Sequence, residues 1–433
     1  MKAPKIQLGW QTDSISNKVG FDSQPKPTKK TKKRPLILDD EEGHLLTIAP
    51  TGKGKGRSAI IPTLLNYPGP VMVIDPKGEA AAVTAKHRRK FGKVIIVDPF
   101  KMVTKRPAML NPLDILELSN GSVTEHALRM SQILFTDQKS SEKEPFWEQK
   151  AKALISGILS YIIACEPKEN RNFVKLRKIL SSEDVTYSLA VLMDTKGKQM
   201  PEYAKEEIGQ FLQTTDVTRS GILSTAQQYV QLFGDKVVAD SISSTSFDLK
   251  SYFRGKPQTI YLVLPPNRLK SHSVILRLWV ATLIDILIER KKRPEIPNLF
   301  LIDEAAQLGT LDTLRTATTL LRGYGLRVWT FWQDLSQLKH HYKSDWQTIV
   351  NNCASFQIFG ITTYLMAKEL SSIIGVNNSA AELLRLSSKE QIIMSQGGKV
   401  EKSLKLDYLS DKIYQGLYAP NPYFGKNWNT KSN

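Results

Sequence analysis

Cysteine is nearly absent from this 433-residue chain: Cys165 and Cys353 stand far apart, each in apolar surroundings. That excludes a disulfide framework and reads as two small buried hydrophobes in a reducing compartment. Histidine is scarce too, and the six present lack metal-ligand spacing; His340 and His341 are adjacent and would point apart on a helix. No structural metal is expected. Long apolar runs are missing: Ala153–Cys165 and Ser273–Ile288 fall short of a bilayer span, and the second carries Arg277 and Asp285. Met1 to Trp10 holds no apolar leader, so the chain as given is expected to be soluble. No G-x-G-x-x-G fingerprint with a ribose-binding acid follows the first apolar strand, which argues against an oxidoreductase. Acid is in deficit. The 42 Asp plus Glu against 60 Lys plus Arg leave a net charge of +18, which favours a polyanionic partner, nucleic acid or an anionic membrane surface.

What is present is ordinary globular material, 41% hydrophobic and 24% charged, long enough for two or three domains or one large α/β domain with an insertion. One stretch organises it. His44 to Ile48 is an apolar run suited to a buried strand, and it feeds Ala49-Pro50-Thr51-Gly52-Lys53-Gly54-Lys55-Gly56-Arg57-Ser58, after which residues to Leu65 read as the first turns of a helix. This is the setting of a phosphate-binding loop. Glycines at 52, 54 and 56 let successive N–H groups face one concavity, and Lys55 can reach into it toward the β- and γ-phosphates of a nucleoside triphosphate. Thr51, Gly52, Lys53, Gly54, Lys55, Gly56, Arg57 and Ser58 are therefore the candidate nucleotide-binding residues. The match to G-x-x-x-x-G-K-[ST] is imperfect: Ala49 replaces the first glycine, and Gly56 stands where a hydroxyl would hold Mg2+. A basic surface turn is the plainer alternative for the loop taken alone.

Residues 1–43, with the basic run Lys26 to Pro35 and the acidic Asp39-Asp40-Glu41-Glu42, read as a flexible arm. Val71-Met72-Val73-Ile74-Asp75 and Val94-Ile95-Ile96-Val97-Asp98, separated by a helical segment, imply parallel strands covered on both faces. Asp75, Lys77 and Glu79 then fall near the phosphate loop, although strand-end turns at Asp75-Pro76 and Asp98-Pro99 explain the same residues. From 115 to 245 strand signal gives way to helical periodicity, as in Val123, Ala127, Met130 and Leu134, and an all-helical insertion is expected. Its loops at Gln138–Glu144 and Thr195–Lys205 are polar and lysine-rich. The sheet resumes at Thr259–Leu264 and Asn298–Ile302. The second of these ends in Asp303, which would orient the Mg2+ shell through water, and Glu304, which would act as general base toward the attacking water. The next strand, Arg327 to Trp332, ends at Gln333, an amide able to contact both the γ-phosphate and that water. Further strands are expected at Phe356–Phe359 and Gln391–Met394, and Tyr408–Asn433 reads as an irregular tail.

In Ala49-Pro50-Thr51…Gly54-Lys55-Gly56, Ile74-Asp75-Pro76-Lys77-Gly78-Glu79, Asp98-Pro99-Phe100, Asn111-Pro112-Leu113-Asp114, Leu301 to Gly309 and Trp332 to Leu338, taken in that order, the chain resembles the type IV coupling proteins of conjugative DNA transfer. The pattern of that family carries glycine after the loop lysine, leaving the Mg2+ oxygen to Ser58 or Thr51. The resemblance implies an α/β, RecA-like P-loop NTPase with a mostly parallel sheet (44–114 and 246–433) and an inserted all-α domain (115–245). It also implies ATP and Mg2+ as cofactors and a homohexameric ring around DNA, gripped without sequence readout. Nucleotide would sit between subunits, with Arg322 reaching the neighbour's γ-phosphate; in its own terms Arg322 could simply cap a helix. Relaxase and secretion components would be partners. Membrane-anchored relatives begin with transmembrane helices, whereas little precedes the loop here, so a cytoplasmic protein touching the membrane only peripherally or through partners is expected. Two other readings stay open: a nucleotide-regulated receptor for relaxase or effectors without motor activity, and a DNA pump of the segregation or repair type.

Overall fold

Predominantly apolar strands buried along their whole length need cover on both faces, and the sheet provides it. The computed structural model describes residues 4–12, 34–39, 42–118, 121–135, 145–290, 292–310, 312–375 and 379–423. Its strands are β1 (Ile6–Gln11), β2 (Leu36–Asp39), β3 (His44–Ile48), β4 (Val71–Ile74), β5 (Lys93–Val97), β6 (Gln258–Leu262), β7 (Asn298–Ile302), β8 (Leu326–Trp332), β9 (Cys353–Ile358), β10 (Glu390–Ser395) and β11 (Lys399–Leu404). They form one 11-stranded sheet in the order β2-β1-β11-β10-β9-β3-β8-β7-β4-β6-β5. From β9 to β5 all neighbours run parallel; from β10 to β2 they run antiparallel. Every residue of β3, β4, β6, β7 and β8 is buried.

The two faces follow from the period-2 alternation of a strand. Val71 and Val73 pack with Leu45, Leu299, Leu301 and Trp329 under α1 (Ile61–Asn66) and α2 (Glu79–Arg88). Met72 and Ile74 face the opposite side, with Ile48, Phe300 and Ile302. Between β5 and β6 every described element is helical. The longer ones are α3 (Val123–Leu134), α4 (Pro145–Cys165), α5 (Phe173–Leu180), α6 (Val185–Lys196), α7 (Glu202–Leu212), α8 (Asp216–Val230) and α9 (Lys236–Ile242). Their starts are set by side-chain caps at Ser122, Asn172, Asp184 and Asp235. After α10 (Leu249–Phe253), α11 (Leu269–Ile288) lies along the sheet and ties the insertion to it through the Arg129–Asp285 ion pair. The segment Pro266–Ile288 is long and apolar enough to cross a membrane, but most of it is buried in this core.

One expectation needs correction. The segment expected as a flexible arm contributes β1 and β2, since Ile6 and Leu8 alternate inward at 1% and 2% exposure. Its pairing partner β11 is almost 400 residues away, so no local pattern reveals it. Residues 13–33, with most of the basic run, lie outside the described residues, as do 136–144, Lys291 and 424–433. The tail is irregular over its described part, as expected, but packed: Leu406, Tyr408 and Tyr414 join Ile61, Leu65 and Val83 in a third apolar cluster.

Candidate nucleotide site

β3 delivers the loop to the carboxyl edge of the sheet, where ligands of parallel sheets bind. Gly52 (φ 77°) and Gly54 (φ 94°) take left-handed conformations that a side chain would strain, and the space beside Gly52 is open. A π-turn at Gly56–Ile60 then starts the helix that continues as α1. The first N–H groups of a helix have no intrahelical partner, so they remain free to receive an anion. Lys55 is buried, and its ammonium donates to the Ala49 carbonyl at 3.1 Å while pairing with Glu304 Oε1 at 3.2 Å. The other carboxylate oxygen, Oε2, accepts from Gln333 Nε2 at 2.8 Å. Lys55, Glu304 and Gln333 thus form one chain joining the carboxyl ends of β3, β7 and β8. β8 lies between the other two, so the amide enters from the middle.

Asp303 precedes Glu304 and accepts its backbone N–H at 3.1 Å. Burial, and then the Glu304 carboxylate, push the Asp303 acid up to about 6, with Lys55 and Lys77 opposing. Asp75, at the end of β4, is pushed up to about 7 by burial and by Asp303 and Glu79, although it accepts the Ala81 N–H at 2.8 Å. Asp98 accepts N–H bonds from Met102, Val103 and Thr104, which supports the strand-end-turn reading of that residue.

Other sequence-predicted residues are placed differently. Thr51 and Lys53 are exposed on the loop. Arg57 is committed to Asp407 through two bonds of 2.6 and 2.5 Å, so its side chain serves the tail. Ser58 is buried, its N–H bonded to Gly54 O at 2.8 Å and its hydroxyl 3.5 Å from where a Gly54 Cβ would stand. It stands two residues beyond the position that normally supplies the metal-binding hydroxyl. Arg322 is exposed in the turn before β8, at the opposite end of that strand from Gln333. Seven strand residues separate them, about 20 Å, so Arg322 does not reach this chain's own loop. Among the basic residues, Arg88 is 1% exposed and donates to Thr259 Oγ1 and to the carbonyls of Leu64, Tyr67 and Gly69, so it is a core staple. Arg293 pairs with Glu42 at 2.7 Å.

Sequence reasoning missed the tail's part in the site. Lys405 Nζ donates to Lys53 O at 3.0 Å and lies 4.8 Å from the centre of the Phe359 ring. Burial, then Arg57 and Lys53, hold its amine down to about 8. Asn421 Nδ2 donates to Glu79 Oε1 at 2.7 Å, and Tyr423 O–H donates to Lys77 O. Nothing in residues 405–423 has a motif's spacing; the alternation of Leu404, Leu406 and Tyr408 is the one signal that this stretch packs.

A family model described as type IV secretory system conjugative DNA transfer matches residues 10–379. The chain is 27% identical over 344 residues to the type IV secretion system-coupling protein VirD4 of Bartonella quintana, covering 78% of this chain and 54% of that one. It is 26% identical over 378 residues to conjugal transfer protein TraG of Escherichia coli, covering 80% and 57%. The chain therefore spans a little over half the length of the curated relatives it matches. Among solved structures, the plasmid coupling protein TrwB bound to a non-hydrolysable ATP analogue superposes with a TM-score of 0.64 at 16% identity, covering 84% of this chain and 85% of that one. TrwB with ADP and Mg2+ gives 0.63 at 16%, covering 84% and 86%. At that identity the likeness is one of fold, and the fold is the RecA-like P-loop NTPase. With the family match running from the first strand to beyond the ninth, this chain belongs to the type IV secretory system conjugative DNA transfer family.

Proposed function

We propose that the chain is an Mg2+-dependent ATPase that drives DNA, or DNA with its bound protein, into a type IV secretion channel. The observation that carries this reading is the Lys55–Glu304–Gln333 chain at the mouth of the phosphate loop. A triphosphate entering the loop competes with Glu304 for the Lys55 ammonium. That frees a carboxylate, already held by Gln333, to accept a proton from the attacking water. Gln333 spans the γ-phosphate and that water, so loss of the phosphate is felt at the start of the helix after β8. Asp303 would hold the water shell of a bound Mg2+, and the loop N–H groups would carry the phosphate oxygens. The metal would supply positive charge to offset the charge developing on the phosphates. Solved TrwB structures hold ATP and GTP analogues and, separately, ADP with Mg2+, which supports nucleotide at this position and little choice of base.

Arg322 completes the neighbour's site in a ring of six on DNA. The excess of basic residues grips the phosphate backbone without reading sequence. Relaxase and secretion components are its partners. The test is the steady-state ATPase rate against protein concentration, with and without single-stranded DNA. The expected result is a rate that rises more than linearly, is boosted by DNA, and falls at least 100-fold in Lys55→Ala and Glu304→Gln. A flat, DNA-indifferent rate beside measurable ATP binding would replace the motor by a nucleotide-regulated receptor. Exposed Tyr187 and Val217 on the helical insertion would then be its first docking candidates.

A further inference from the structure

The phosphate loop lacks the hydroxyl that usually binds Mg2+, because Gly56 occupies its position. Ser58, the nearest hydroxyl in sequence, lies two residues beyond that position. A carboxylate stands in the gap. A Cβ built on Gly56 would have one heavy atom within 4 Å, Glu79 Oε2 at 3.7 Å. Glu79 opens α2, and the turn that aims it at the loop depends on Gly78 in a left-handed conformation (φ 67°). Among the described residues no cation pairs with Glu79. Its other oxygen, Oε1, accepts from Asn421 Nδ2 at 2.7 Å. The Asn421 amide is itself oriented: Oδ1 takes the Tyr423 N–H and Nδ2 also donates to Tyr408 Oη. One carboxylate oxygen is thus tied to the tail and the other is left facing the loop.

We propose that Glu79 supplies the Mg2+ ligand that Gly56 cannot, with Asn421 as the positioning residue that turns the carboxylate toward the metal. Mg2+ takes hard oxygen ligands and is commonly held by one or two carboxylates together with substrate phosphates, so the exchange of hydroxyl for carboxylate suits its chemistry. A hydrogen bond to the second oxygen of a ligating carboxylate fixes its orientation, as outer partners of metal ligands do. This inference rests on the nucleotide-site reading above and extends it to the metal.

The experiment measures binding of a fluorescent ATP analogue in MgCl2 and in EDTA. Wild type should bind at least tenfold more tightly with Mg2+. Glu79→Gln should lose that gain while keeping its affinity in EDTA, which also shows that it is folded. Asn421→Ala should lose part of it. Gly56→Ser combined with Glu79→Gln should restore most of it, because a Cβ at 56 would make only ordinary van der Waals contact with the residue 79 side chain. A Glu79→Gln protein that keeps the full Mg2+ gain overturns the assignment, including one that merely melts earlier through loss of an acid at a helix start. Wild type and Lys55→Ala binding equally poorly in both buffers would overturn the nucleotide site itself. Lys55→Ala weakened beside an unaltered Glu79→Gln would overturn the metal ligand alone.

Discussion

Glu304 sits at φ 55° and ψ 53°, a left-handed conformation that few non-glycine residues adopt. The contacts that hold it there, Lys55 and Gln333, are the ones the proposed chemistry uses, so backbone strain and positioning meet at one residue. The pair Asp303-Glu304 was legible because an apolar strand ending in two acids is rare without a cation to serve. The strain was not legible, since it arises from strands brought together by the sheet. Asp75 gives a stability prediction at the same scale. In the unfolded chain its carboxyl titrates near 3.9; in the fold it is held up to about 7. Below pH 4 both states are protonated and nothing is lost. As pH rises from about 4 to 7 the unfolded state releases its proton first, and folding is penalised in full above 7. Asp75→Asn, which keeps an acceptor for the Ala81 N–H, should therefore melt higher than wild type at pH 8, by about 1 kcal/mol or more, and equally at pH 4. Paired thermal melts check it. A constant difference across that range would rule out this carboxylate as its source.

The C-terminal strap, residues 405–423, is the element that the sequence hid. Its apolar alternation is short, and its polar anchors are scattered over the loop, the π-turn and α2: Lys405 on Lys53, Asp407 on Arg57, Asn421 on Glu79. None makes sense until the tail is seen crossing the phosphate loop. The hairpin that launches it was half visible. The β10 strand was expected, but its partner β11 needed the Gly397-Gly398 turn to be read as a reversal, both glycines having positive φ. Arg57 shows how a residue in a binding motif can serve structure instead. Its fork meets the Asp407 carboxylate with geometry suited to two parallel bonds. Asp407→Ala leaves a half-buried guanidinium beside Lys405 without its carboxylate. The expected cost is about 1–2 kcal/mol, localised to the strap. Hydrogen exchange should quicken in residues 404–418 while the central strands keep their protection. Uniform acceleration throughout the sheet would mean that the strap is integral to the global fold rather than a latch upon it.

At the scale of the whole molecule the position of Arg322 decides how many chains make one site. The Lys55–Glu304–Gln333 cluster lies at the carboxyl ends of β3, β7 and β8, whereas Arg322 is exposed before the start of β8, about 20 Å of strand away. No side chain spans that distance, so an arginine acting on the γ-phosphate from this position must act on another subunit's nucleotide. Sequence order could suggest the residue but not the separation, which follows from strand direction. Two inactive variants then become informative together. Lys55→Ala has a defective loop and an intact Arg322; Arg322→Ala has an intact loop and no arginine to offer. If the finger works between chains, mixing the two restores activity at interfaces where an intact loop faces an intact arginine. For random assembly at equal amounts, where each interface pairs independently, about one interface in four qualifies. The recovered rate should approach a quarter of wild type if sites fire independently, and less if a ring stalls on one dead subunit. Mixtures as inactive as their components, at concentrations where wild type shows its steep rise, would remove Arg322 from the chemistry and leave it as the cap of the turn before β8.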